Sequence, residues 1–387
     1  MKIVQINTFP YKATGSIMMN IHHYLLSQGI DSFVIWGRGR EPENNREYKI
    51  QSKAGFYFDA LFTRLTDKAG FYSKLATKRL IDRLDEIKPD IIHLHNIHGY
   101  YLNINMLWEY IKRKGLPVVW TFHDCWPFTG HCAYYTAIGC KKWINGCNHC
   151  PQKHTYPSSW FIDNSSFNYL KKKELFSYKK LTIVAPCQWM KKQVQNSFFC
   201  NSFCDVIYND INLSVFKPTP STFRKNYHLE NKFIILGVAS EWTKRKGLDD
   251  FIQLANSLIG DSRYSIVLIG INKSQRKGLP KNILPIEKIN NQQEIAGVYS
   301  SADVFFNPSH EDNFPTVNLE AQACGLKTIS YNIGGVSETN MGNLVLIDSV
   351  DSFISSLQRK PLSKSRNEIY SNQMVSNYRR LYMGIVK

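Results

Sequence analysis

In HEDNFPTVNLEAQACG, residues 310–325, two acids stand before a proline and a third after it. Proline lacks an N–H and clashes with a preceding helical turn, so Glu311, Asp312 and Glu320 cannot share one continuous helix. Asp312 then falls in a loop after the apolar strand DVFFNPS, residues 303–309. Pro315 suits the first helical position and Gly325 the stop. A helix start offers free N–H groups and about half a positive charge, which suits a phosphate or a ring of hydroxyls. Glu320 lies about five residues inside, roughly 7.5 Å along the axis. One carboxylate could face one end of a ligand while the other meets a second polar group, such as ribose hydroxyls, since each carboxylate oxygen accepts O–H bonds. A solvated loop followed by a capped surface helix would show the same spacing.

Other chemistry is spread along the chain. GVASEWTKRKGLDDF, 237–251, places Arg245 and Lys246 just before Gly247, where a strand gives way to a helix. Cations there can neutralise a departing diphosphate, although a basic run is also an ordinary solvated feature. In KATGSIMMNIHHYL, 12–25, Gly15 stands in a strand-to-helix turn and allows close backbone approach. His123 ends the strand of VVWTFHDCW, with Asp124 beside it, and His93, His95 and His98 alternate in IIHLHNIHGY. Cys132, Cys140, Cys147 and Cys150 are spaced C-x7-C-x6-C-x2-C. These four thiols could hold a structural zinc ion. The other reading is free cysteines around an insertion held by Trp126, Trp143 and Trp160.

The elements that must position these residues alternate. Apolar strands at KIVQI, SFVIWG, PDIIHLH, PVVWTFH and LTIVAP are separated by helical stretches at 16–29, 56–88, 104–114 and 164–178. A second series, FIILGVAS, YSIVLIG, DVFFNPS and KTISYN with helices between, follows the proline-marked linker near 215–220. Short apolar strands between helices indicate parallel sheets covered on both faces, with ligands at the carboxyl ends of the strands. The chain is therefore read as α/β with two Rossmann-like domains, 1–215 and 216–363. A cysteine- and tryptophan-rich insertion occupies 124–163, and the tail at 364–387 is amphipathic.

With 43% hydrophobic residues, 387 residues can build two full cores, which argues against disorder. The net charge is +17. Residues 1–215 hold 27 basic and 16 acidic side chains, so most of the excess lies in the first domain. Nucleic acid, an anionic membrane surface or phosphorylated ligands would each suit it. The opening MKIVQINTFP is too short and polar for a signal peptide, and no apolar run reaches the roughly 20 residues of a membrane span. A cytoplasmic protein with reduced cysteines is expected, touching a membrane only from its surface.

From MKIVQINT to GGVSE, 334–338, the chain resembles the retaining GT-B glycosyltransferases of family 4. The cysteine–tryptophan block, with GHC, GC and CPQK-x3-YP, is similar to a subgroup that builds bacterial surface polysaccharides of the colanic-acid, capsule or exopolysaccharide type. The family's acidic pair, usually two glutamates, matches Asp312 and Glu320. Its Arg-x4-Lys-Gly pattern keeps Lys246-Gly247 but has Glu241 where the arginine would stand. The resemblance implies two domains facing across a cleft and transfer of a sugar from a UDP- or GDP-type nucleotide-sugar with retention of configuration. The amphipathic tail at 364–387 resembles the last helix of GT-B folds, which implies that it crosses back to the first domain. It implies no catalytic metal. Asp312, His123 and the segment Asn313, Phe314, Pro315 and Thr316 would position the sugar, and Glu320 the ribose. Arg245 and Lys246 would meet the diphosphate, and Gly15 would lie in the N-terminal glycine loop.

The acceptor would be a glycan or polyprenyl-linked sugar, reached from an anionic membrane through lysines such as Lys171–Lys173, Lys179, Lys180, Lys191 and Lys192. No nucleic acid partner is expected. A nucleic-acid-binding or scaffold protein on the same shell, or a nucleotide-sugar hydrolase or epimerase, are the alternatives.

Overall fold

The computed structural model describes residues 1–289, 291–357 and 373–386. The chain forms two compact units. Unit 1 holds Met1–Tyr208 and the helix Met374–Val386, and unit 2 begins at Asn209. In unit 1 the strands are β1 Lys2–Asn7, β2 Asp31–Trp36, β3 Glu47–Lys49, β4 Ile91–Leu94, β5 Val118–Thr121, β6 Leu181–Ala185 and β7 Cys204–Val206. Its helices are α1 Lys12–Ser27, α2 Lys53–Thr66, α3 Lys74–Ile87, α4 Ile104–Lys114, α5 Ser165–Phe176 and α6 Gln188–Gln195. Unit 2 has strands β8 Phe233–Val238, β9 Tyr264–Ile269, β10 Ile283–Ile286, β11 Val304–Asn307, β12 Lys327–Tyr331 and β13 Leu344–Ile347. Its helices are α7 Phe223–Asn226, α8 Leu248–Ser257, α9 Lys273–Arg276, α10 Gln292–Ser301, α11 Thr316–Ala323 and α12 Asp351–Leu357. Helix α13 is Met374–Val386.

Every strand pairing is parallel. The orders are β3-β2-β1-β4-β5-β6-β7 and β10-β9-β8-β11-β12-β13. Both reverse direction beside their first strand, the doubly wound arrangement that opens a crevice at the strand ends between β1 and β4 and between β8 and β11. The central strands are apolar and buried because helices cover both faces. Edge strands are short. EYK of β3 is largely polar, and β10 carries Pro285, which an edge tolerates. Neither strand is part of the sequence reading.

The helical stretch expected over 56–88 is two helices. Asp67 (φ 55°), Gly70 (φ 88°) and Ser73 (φ 49°) break it in left-handed conformations. The cause is tertiary: the buried Asp67 carboxylate accepts the Asn164 N–H at 2.8 Å and bonds His131, tying the break to the 124–163 insertion. That insertion has only two short 3-10 turns, Trp126–Phe128 and Lys142–Ile144. It packs by Trp143 against Phe128 and Tyr135, and by the buried Lys172, whose Nζ donates to Trp126 O at 2.8 Å and Thr129 O at 3.1 Å. Lys172 is thus removed from the basic surface expected of residues 171–173.

The face Ile17, Ile21 and Leu25 of α1 packs with Ile3, Ile91, Val119 and Val184 of the sheet. Met374, Tyr378 and Tyr382 of α13 complete this layer. The Tyr382 hydroxyl bonds His93 Nδ1 at 2.6 Å, and the Tyr378 hydroxyl bonds Thr121 Oγ1 at 2.8 Å. Residues 364–372 of the expected C-terminal segment lie outside the described residues. Among the described residues no helix is long and apolar enough to cross a membrane.

A helix so remote in sequence is held mainly by these rings. Tyr378→Ala should destabilise unit 1 by about 3–5 kcal/mol through lost burial and a cavity. Tyr382→Phe, which removes only the hydroxyl from His93, should cost about 1–3 kcal/mol. Urea unfolding followed by tryptophan fluorescence would rank the two, and equal losses would contradict this division.

Candidate functional site

The loops after β8 and β11 press together at the switch point of unit 2. Gly247 has φ 76°, and a Cβ there would lie 2.3 Å from the Pro308 carbonyl oxygen, so only glycine permits the approach. Arg245 Nη1 donates to the Glu311 carbonyl at 2.8 Å, and the His310 N–H donates to the Arg245 carbonyl at 2.8 Å. This two-way link sets Lys246 opposite Asp312, with Nζ 2.5 Å from Oδ2. The pair is partly exposed. From the other side Gly334 (φ 53°) fits against Asp312, where a Cβ would come within 1.9 Å of the Asp312 carbonyl oxygen. Asp312, and not the buried Glu311, is therefore the acid that meets the lysine.

Helix α11 starts one residue later than the sequence suggests. Pro315 is its N-cap (φ −71°, ψ 106°) and Thr316 its first helical residue, because the loop enters in extended form. No side chain caps the helix start. A buried amide ladder holds it in place: Asn307 Nδ2 donates to Asn318 Oδ1 at 2.8 Å, and Asn318 Nδ2 to Thr339 Oγ1 at 3.1 Å. Asn313 and Phe314 are buried in the loop before it.

Glu320 is held apart from the Lys246–Asp312 pair, where the Tyr299 hydroxyl of α10 donates to its Oε2 at 3.1 Å. Part of its surface is open, yet burial of the carboxyl lifts its pKa to about 7, against a smaller opposing effect of the Tyr299 bond.

In unit 1, Gly15 is buried in α1, where a Cβ would meet Phe9 O at 2.6 Å and Pro10 C at 2.7 Å. The glycine thus lets the β1–α1 loop fold back on its own helix. His123 lies two residues beyond the end of β5. Its Nε2 is 3.0 Å from His95 Nδ1, and burial lowers its pKa to about 4. It is a neutral imidazole that can exchange hydrogen bonds but cannot balance a phosphate by charge. Asp124 pairs with His98 Nε2 at 2.8 Å. Burial pushes its carboxyl up, but His98 and the Trp126 N–H outweigh this and hold it below the usual range.

Cys132, Cys140, Cys147 and Cys150 are unbridged thiols. Cys132 bonds Cys150, and Cys147 Sγ accepts the Gly130 N–H at 3.2 Å. Among the described residues no group of three or more His, Cys, Asp or Glu side chains is placed to hold a metal ion.

Several residues of this region lie outside the sequence reading. Asp250, in the first turn of α8, accepts His310 Nε2 at 2.7 Å and the Tyr331 hydroxyl at 2.6 Å. An acid just after a basic run at a helix start was a usable signal. Nothing local marks Asn307, Asn318 or Tyr299, whose partners are distant in sequence.

The fold and its two switch-point loop clusters define a glycosyltransferase-like α/β protein of the GT-B type. The model of "Glycosyltransferase Family 4" matches residues 15–215, more than half of the chain, and that of "Glycosyl transferases group 1" matches residues 220–356. The chain belongs to Glycosyltransferase Family 4. It is 26% identical over 236 residues, 55% of each chain, to WcaC of Escherichia coli (strain K12), named for glycosyl transfer in colanic acid biosynthesis. It is 31% identical over 158 residues to an Escherichia coli UDP-Gal:alpha-D-GlcNAc-diphosphoundecaprenol alpha-1,3-galactosyltransferase, covering 37% of this chain and 40% of that one. The chain matches about half the length of such curated relatives or less. Anabaena Alr3699/HepE, solved with UDP and glucose, shares the fold at 13% identity and TM-score 0.66, over 99% of both chains.

Glu320 sets a stability trade-off. Its folded pKa of about 7 exceeds the ordinary 4.5, so between those values the folded chain keeps a proton that the unfolded chain has released. Stability therefore falls as pH rises through that window. Glu320→Gln should be the more stable protein at pH 8 by roughly 1–3 kcal/mol, with most of the difference gone at pH 5. Thermal unfolding at the two pH values would measure this, and a pH-independent difference would contradict it.

Proposed function

We propose that the chain transfers a sugar from a UDP-type nucleotide-sugar to a hydroxyl of a glycan or lipid-linked acceptor, with retention of configuration, in surface polysaccharide assembly. The Lys246–Asp312 pair at the β8/β11 switch point carries this reading. The names of the similar Escherichia coli proteins and the UDP bound by Alr3699/HepE support it.

An arriving diphosphate competes with Asp312 for Lys246. As the two separate, the ammonium meets the phosphate and the freed carboxylate accepts a sugar hydroxyl. When the bond from the anomeric carbon to the diphosphate breaks, negative charge grows on the leaving oxygen. Lys246 is placed to stabilise that charge without a metal ion. Arg245 keeps the acidic loop in register through Glu311, and the segment Asn313–Thr316 leads into the uncapped start of α11 beside the sugar. Glu320, once ionised, accepts the ribose hydroxyls. His123, neutral, exchanges a hydrogen bond with a sugar hydroxyl. Gly15 keeps the β1–α1 turn tight.

Unit 1 offers a surface for a lipid-borne acceptor. Tyr57 (69% exposed), Phe58 and Leu61 project from α2, and Trp160, Phe161 (72%) and Ile162 extend the patch. The two segments are joined by the Trp160 N–H donating to the Arg64 carbonyl at 2.8 Å. Exposed aromatic and aliphatic side chains beside lysines and arginines suit the interface of an anionic bilayer.

Isothermal titration with UDP and UDP-sugars tests the donor assignment. Lys246→Ala should lower kcat/KM by about 10²–10³-fold, and donor affinity should rise from pH 6 to pH 8 in the wild type but not in Glu320→Gln. Product analysis must show a glycoside and not free sugar or an isomer. Phe58→Asp combined with Phe161→Asp should reduce binding to phosphatidylglycerol vesicles several-fold, and unchanged binding would remove the membrane face from this reading.

A further inference from the structure

Arg38, just beyond the end of β2, holds its guanidinium between two rings, with Cζ 4.6 Å from the Phe9 centroid and 4.2 Å from the Phe56 centroid. Its Nε is buried without a hydrogen-bond partner, and among the described residues the side chain forms no ion pair. Guanidinium remains charged in proteins. The residue is half-buried, and partial loss of water without a paired anion is costly; burial pushes the Arg38 pKa down. The nearby carboxylate, Asp59, is buried and bonded to Ser73 and Thr63 instead. What faces Arg38 is a set of tyrosines, Tyr156, Tyr100 and Tyr11.

The walls of this place come from loops at the carboxyl edge of the unit 1 sheet. Phe9 and Tyr11 follow β1, Arg38 follows β2 and Tyr100 follows β4, with Phe56 on α2. The backbone is shaped for it. Lys12 and Tyr100 both have φ 66°, an uncommon conformation for residues with a Cβ. Gly39 lies so close to the Tyr11 ring that a Cβ would come within 2.7 Å. Lys12 Nζ adds a second cation 4.6 Å from the Phe9 centroid. Phe56 also precedes Tyr57 and Phe58 of the exposed apolar face, with the Phe56 and Tyr57 rings 5.1 Å apart.

We propose that Arg38 is the anion-binding residue of the acceptor site, taking a phosphate or diphosphate group at the edge of the guanidinium that Phe9 and Phe56 flank. Arginine suits this because its planar fork can donate two parallel N–H bonds to phosphate oxygens. The proposal rests on the reading above that unit 1 receives the acceptor. The same group could arrive on a lipid carrier or on a free sugar phosphate. The adjoining apolar face of α2 favours the lipid.

The test is isothermal titration of the whole protein with inorganic pyrophosphate, farnesyl diphosphate and glucose 1-phosphate, in saturating UDP to occupy the nucleotide site. Arg38→Gln should weaken binding of pyrophosphate and farnesyl diphosphate at least 10-fold, with UDP affinity and circular dichroism unchanged. Arg38→Lys should recover part of the loss. Farnesyl diphosphate binding more tightly than pyrophosphate identifies the lipid source, and tighter glucose 1-phosphate identifies the soluble one. Equal pyrophosphate affinity in wild type and Arg38→Gln, or no binding of any of the three to wild type, overturns the assignment. Failure of UDP to bind wild type would strike the donor reading alone, because the Arg38 result is the difference between two proteins under one condition.

Discussion

A parallel sheet covered on both faces has no exposed face on which to display polar groups. In both units the central strands are buried, so chemistry is confined to the loops at the strand ends. The reversal of strand order then decides which loops diverge and leave room for a ligand. In unit 2 those are the loops after β8 and β11, and they carry Lys246 and Asp312. In unit 1 the loops at the corresponding edge carry Arg38, Tyr100 and His123. The distribution of functional side chains follows from that one constraint, and the glycines at 247, 334 and 39 let these loops approach their neighbours closely.

Burial also sets the electrical character of these groups. His123 is held neutral and Glu320 is driven toward neutrality, while Lys246 and Asp312 stay near solvent and face each other. Unit 2 thus contains one satisfied ion pair and one carboxyl driven toward neutrality, and unit 1 an uncharged imidazole. Each can gain from a ligand with a matching group: a phosphate for the lysine, hydroxyls for the carboxylates and a hydrogen bond for the imidazole. Arg38 follows the same logic with opposite sign, as a cation that forms no ion pair among the described residues and whose Nε has no hydrogen-bond partner. Such sites give up stability where function needs a group held against its preference.

Much of this was legible along the chain. The alternation of apolar strands and helices gave the α/β class, and Pro315 marked the break between the acidic loop and α11. Lys246, Gly247 and the acidic loop stood out by type and position, and the family resemblance singled out Asp312 in that loop. Other features were not legible. The helical pattern over 56–88 conceals a break that Asp67 makes for the sake of Asn164 and His131, nearly a hundred and more than sixty residues away. The lysine run at 171–173 gives no sign that Lys172 is buried under Trp126. Cysteine spacing gives no sign that Cys132 is the thiol that meets Cys150.

The sequence by itself determined what local rules govern: where strands and helices begin, which turns need glycine, and which residue types could serve a nucleotide-sugar. Periodicity and dihedral preference act between near neighbours, so they can be read from the chain. Only the tertiary structure decided the partners. It set Asp312 rather than Glu311 opposite Lys246, gave Glu320 to Tyr299, and left Arg38 between two rings without an anion. Those outcomes depend on burial and on loops distant in sequence that meet at one sheet edge, where a shift of a single residue changes which charge is paired and which is not.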